Sequence, residues 1–142
     1  MRKLFFIAAL LLGLGIAASA QPKLTDKELY NAIWAMGEMF PDGFTLDLNT
    51  LRQPKEGLMV SYKDTQNSFD KKSIKGVVKH ARAHNNLVGG WRDPETGRYY
   101  FDSTRSFPED SLAAALAFAR ENGQHTVYVA SKGINVKSNY EH

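Results

Sequence analysis

Cysteine is missing from all 142 residues. Its absence excludes disulfides, a thiolate nucleophile, thiolate metal ligands and a lipid-modified cysteine behind a leader. Charge of one sign is also scarce, since 18 basic residues stand against 15 acidic ones. Two of the 18, Arg2 and Lys3, open the chain ahead of an uncharged apolar run over residues 4–17 and the small residues Ala18-Ser19-Ala20. This is the layout of a secretory signal cut after Ala20. Without those two cations the balance is 16 to 15, which leaves no basic stripe of the kind nucleic-acid binding needs. Lys71, Lys72, Lys75 and Lys79 gather on one segment and read as a solvated helix face. The apolar run is shorter than the roughly 20 residues of a membrane-spanning helix. The expectation is an exported protein, periplasmic or extracellular, with no stable membrane span once the leader is removed. A chain of this length without disulfides is held by its core, and it is the size of one domain.

Helical and strand periods divide the remainder. Thr25 and Glu28 stand at capping-box spacing, with Leu24 and Leu29 placed as a hydrophobic staple. Leu29, Ile33, Met36 and Phe40 then repeat at helical spacing until Pro41-Asp42-Gly43. Phe44, Leu46 and Leu48 alternate with polar residues as in a strand, and so do Leu58, Val60 and Tyr62. Ile74, Val77, Val78 and Ala81 form the stripe of a second helix. Residues 87–92 and 98–103 flank Asp93-Pro94-Glu95-Thr96-Gly97 and predict a hairpin. The Gly89-Gly90 pair leaves a bare strip that a facing aromatic such as Phe101 can cover. Ser106 and Glu109 predict the start of a third helix, with Leu112, Ala115, Leu116 and Ala119 inward. A strand around Val127–Val129 follows, with a short edge strand at Ile134 and Val136.

The stretch SYKDTQNSF at 61–69 resembles YYFDSTRSF at 99–107. A shift of 38 aligns Tyr62 with Tyr100, Asp64 with Asp102, Phe69 with Phe107, Ile74 with Leu112 and Arg82 with Arg120. Self-similarity at one offset outlines a unit used twice. The unit reads as hairpin, polar bend and helix, with the Asp forming the bend and the Ser capping the helix. The predicted fold is α+β: an antiparallel sheet with helices on one face, ordered α-(ββα)-(ββα)-β. Its divisions are a signal over 1–20, an N-terminal helix over 21–42, repeats over 43–86 and 87–123, a terminal strand region over 124–137 and a frayed tail over 138–142.

The pattern Gly-Gly-Trp, a turn, Tyr-hydrophobic-Asp, an Ala-rich helix and Gly-Gln before a strand resembles a small bacterial α+β domain of unknown function. Such domains also occur attached to larger phage or mobile-element proteins. The resemblance spans roughly residues 43–130. It implies the fold but no activity, cofactor or catalytic residue.

The candidate chemistry is sparse. His80 and His84 lie one helical turn apart and, with His125 or Asp64 as a third ligand, make a possible metal set for a small hydrolase. Asp64 and Asp102 read as turn formers rather than as a catalytic carboxylate pair. Ser68, Ser106 and Ser111 show no nucleophile-elbow context. Tyr30, Trp34, Trp91, Tyr99 and Tyr100 are the candidate binding aromatics, because aromatic anchors give large contact area at low entropic cost. The expected function is a non-enzymatic binding module for a protein or glycan partner in the envelope, without a cofactor. The metal-dependent hydrolase is the alternative.

Overall fold

The computed structural model describes residues 23–140; the expected signal and the last two residues of the expected tail lie outside them. Helix α1, Asp26–Met39, begins as its sequence dictates: Glu28 N donates to Thr25 Oγ1 at 3.3 Å and Thr25 N donates to Glu28 Oε2 at 3.0 Å. Strand β1, Phe44–Asp47, stops where the Asp47 carboxylate accepts the Asn49 and Thr50 amides and turns the chain. Strand β2, Leu58–Ser61, leads into a 3-10 turn, Lys63–Thr65, and then helix α2, Ile74–Ala83. Strands β3, Leu87–Arg92, and β4, Tyr99–Phe107, form the predicted hairpin. Its turn is tied by Asp93, which accepts from the Glu95 amide and the Thr96 hydroxyl, while Gly97 takes a positive φ of 70°. Helix α3, Leu112–Glu121, precedes β5, Thr126–Val129, and the edge strand β6, Ile134–Lys137. Helices α2 and α3 stand 38 residues apart at both ends, as the repeat predicts.

The sheet runs β1-β3-β4-β2-β5-β6 with every neighbouring pair antiparallel. The two ββα units therefore share one sheet, but they interleave. β1 and β2 are not a hairpin, because the β3–β4 hairpin is inserted between them. Sequence order does not reveal this, since β1 finds its hydrogen-bond partner more than 40 residues downstream, pairing Phe44 with Gly90.

Alternation along β4 identifies the covered face. Phe101 packs with α1 and α2 in a core containing Ile33, Met36, Leu46, Ile74 and Val88. Phe107 belongs to a second, smaller core with Leu58, Val60, Val127 and, from α3, Ala115 and Ala119. Both phenylalanines are odd-numbered on one strand, so both cores and all three helices lie on the same side of the sheet. Gly90 permits this packing: a Cβ there would approach the Phe44 ring to 2.7 Å and the Phe101 ring to 3.0 Å. Ser138, at the start of the expected tail, is buried; its amide donates to the His125 carbonyl, and Arg120 donates to its carbonyl. No helix among the described residues is long and apolar enough to cross a membrane.

The third helix begins later than its capping-box spacing predicts. Ser106 is not a cap: it lies in β4 opposite Met59, and α3 starts at Leu112 after Ser111. The ladder to β2 takes residues that local spacing assigns to a helix start. Asp102 is likewise not a turn residue, since it occupies the middle of β4 opposite Gly89.

Candidate binding groove on the open sheet face

The sheet face away from the helices carries the alternate set of residues. On β4 these are Tyr100, Asp102, Thr104 and Ser106; on β3 they include Gly89 and Trp91; on β2 they are Met59 and Ser61. Of these, Asp102, Thr104, Gly89, Trp91, Met59 and Ser61 line a groove of about 460 Å³ that extends to Asp42 beside β1 and to Gln124, Tyr128 and Asn135 on the other side.

Asp102 sits on the floor of this groove. Thr104 Oγ1 donates to its Oδ1 at 3.0 Å, and the Ser61 hydroxyl supplies a second hydrogen bond. Gly89 keeps the floor low. A Cβ at this position would lie 2.9 Å from both Asp102 Oδ1 and Thr104 Oγ1, closer than carbon tolerates. The absent side chain is thus what leaves the carboxylate reachable. Asp102 is half-buried, open toward the groove and enclosed by protein elsewhere. Burial pushes its carboxyl above the ordinary range, and the bonds from Ser61 and Thr104 offset only part of that rise.

Trp91 forms a wall. It is 42% exposed and lies flat on Tyr100, with ring centroids 4.9 Å apart and planes 13° apart. Tyr100 in turn meets Phe69 edge-on at 5.1 Å, and Arg98 covers the Phe69 ring at 4.6 Å. The platform is therefore buttressed from below. Across the groove Tyr128 is 37% exposed, and Met59, opposite it in the ladder, is buried.

The sheet divides the predicted binding aromatics. Trp91 lines the groove, and Tyr100, on the same sheet face, backs it. Tyr30, Trp34 and Tyr99 lie on the helix side, half-buried against the first core. Trp34 packs on Tyr99 at 4.7 Å and donates its indole N–H to Glu38. One shared aromatic surface does not form, because Tyr99 and Tyr100 are adjacent on a strand and point to opposite faces.

His80 and His84 do come together, with rings stacked 3.9 Å apart beside Tyr62. The geometry suits packing. His84 Nδ1 lies 2.7 Å from the His80 carbonyl and must donate to it, and His80 Nε2 is 3.8 Å from Asp64. Burial, together with repulsion from His84, pushes the His80 pKa down, toward a neutral ring. His125 is packed instead against Tyr140 just before β5, so the set with His125 is not assembled, and Asp64, though near His80, completes no three-ligand group. Among the described residues no group of three or more His, Asp or Glu is placed to hold one ion.

Asp102, Ser61, Thr104 and Tyr128 line the groove although no motif marks them as binding residues. The available signal was parity. Extending β4 through Phe107 places Tyr100, Asp102, Thr104 and Ser106 on one face and the core phenylalanines on the other. No family model matches the chain, and neither the curated proteins nor the solved structures contain a significant match.

Proposed function

We propose that this chain is an exported, non-enzymatic binding module whose recognition surface is the open face of its sheet. The observation that carries the reading is the groove floor, where a glycine spares the space above a hydroxyl-bonded carboxylate. Burying a carboxylate is unfavourable unless its lone pairs are satisfied. Keeping one at the bottom of an accessible groove makes sense where a ligand completes its hydrogen bonds. The leader predicted over residues 1–20 supports export, so the ligand belongs to the envelope or the outside of the cell.

The test has two parts. Mass analysis of the protein recovered from its native host should find an N-terminus at Gln21. Native mass spectrometry of that material should show a bound species that Gly89→Val, checked for folding by circular dichroism, no longer carries. Retention of the same species by a folded Gly89→Val protein would place recognition elsewhere.

A further inference from the structure

We infer that the groove takes an uncharged saccharide. This deepens the binding reading above and rests on it. The first ground is charge. The groove lining includes two carboxylates, Asp42 and Asp102, and no lysine, arginine or histidine. An anionic ligand such as a phosphate, a nucleic acid or an acidic sugar would find no cation in this lining to pair with. The second ground is polarity. The floor offers hydroxyls and a carboxylate, and the far wall offers the Gln124 and Asn135 amides. Amides both donate and accept, and an ionised carboxylate has about four acceptor sites. Thr104 and Ser61 supply two of the hydrogen bonds that Asp102 accepts. Ligand hydroxyls, which also donate and accept, fit such a lining better than an apolar helix does. A peptide strand, by contrast, adds at a sheet edge, and this groove lies on a face.

The third ground is the aromatic platform. Trp91 is exposed yet fixed by its stack on Tyr100, so a ring laid against it meets a surface already ordered. Pre-ordered aromatics provide contact area at little entropic expense. The size also fits, since about 460 Å³ falls within the usual range of small-ligand sites.

The experiment titrates isotope-labelled mature protein with neutral oligosaccharides of glucose, mannose, galactose and N-acetylglucosamine. Separate titrations use an acidic oligosaccharide and a simple alkyl amine. At least one neutral sugar should shift the amides of Gly89, Asp102 and Thr104. Trp91→Ala should weaken that sugar by about tenfold or more, as removal of an anchoring aromatic does. Asp102→Asn should weaken it further, and the acidic sugar should leave the groove amides unmoved. Trp91 is exposed, so its alanine variant keeps the test valid even if substitutions on the floor disturb folding. If only the amine moves these amides, the saccharide assignment falls and the groove remains the binding surface. If only the acidic sugar moves them, the charge ground is wrong and the assignment falls as well. If no probe moves them, and the native bound species survives Gly89→Val, both readings fall.

Discussion

Two nine-residue stretches with nearly the same pattern, SYKDTQNSF and YYFDSTRSF, lie side by side in the sheet and have different structures. YYFDSTRSF is a single strand from end to end, β4. SYKDTQNSF leaves the sheet after Ser61, which pairs with Thr104, and rejoins it at Ser68, which bridges to Phe101. The first stretch spends seven residues where β4 spends three. The excess is coiled into the 3-10 turn, and Asn67 takes a positive φ of 66° to bring the chain back. One hydrogen bond joins two repeat-equivalent residues: Ser103 N donates to Thr65 Oγ1 at 2.8 Å in a buried position. A side chain thus closes the gap in the ladder left by the excursion. The same letters at the same offset give an exposed turn in one place and a central strand in the other, because neighbours decide. β4 is paired on both sides, and β2 beyond Ser61 is not.

The largest contrast lies at the two terminal phenylalanines. Phe107 is 8% exposed in the second core, whereas Phe69 is half-buried beneath Arg98. Phe107→Ala should cost about 3 kcal/mol or more in urea unfolding, as large core truncations do. Phe69→Ala should cost about 1 kcal/mol, because much of its ring is already wet. Equal losses would mean that the stretches are structural equivalents after all.

The helices, the Asp93–Gly97 turn and most strand positions were legible because local chemistry sets them. The Thr25–Glu28 box, the turn-forming Asp93 and the stripe Ile74-Val77-Val78-Ala81 each act within a few residues. What was not legible depends on distant partners. The insertion of β3–β4 between β1 and β2 is a pairing choice that no local pattern records. Ser106 had the spacing of a cap, and the ladder to Met59 overrode it. The groove depends on both, because Asp102 faces Gly89 and Ser61 only once β4 runs straight between β3 and β2. Trp91 and Tyr100 could be named as binding aromatics from sequence, but their separation from Trp34 and Tyr99 needed the strand direction.

A smaller effect tests the gap in the ladder. Thr65 is buried, and its hydroxyl is the acceptor for the Ser103 amide. Thr65→Val keeps the shape and removes the acceptor, leaving a buried N–H without a partner. The expected loss is about 1–3 kcal/mol. Thr65→Ser should recover most of it, since the oxygen returns and only a methyl group is missing. If valine and serine are equally tolerated, the hydroxyl is not what holds the excursion against β4.

The smallest effect concerns the two aspartates. Asp64 is exposed on the 3-10 turn, so Asp64→Asn should leave the melting temperature almost unchanged. Asp102 is held on the groove floor with its carboxyl pKa pushed above the ordinary 3.8, chiefly by burial. Between the ordinary value and the raised one, the folded state keeps a proton that the unfolded chain has released. Stability contributed by Asp102 is therefore present in acid and falls as pH rises through that window. Above the raised value the folded protein carries a charge that it disfavours, and there Asp102→Asn should raise the melting temperature. The advantage should shrink as pH is lowered toward the ordinary carboxyl value, where the native aspartate also becomes neutral. Melting curves of the two variants and the wild type across an acid-to-neutral pH series measure this directly. A lower melting temperature for Asp102→Asn throughout the series would show that the bonds from Ser61 and Thr104 outweigh the burial. A gain in stability coupled to a loss of sugar binding would show that the groove keeps this carboxylate for its ligand and at the expense of the fold.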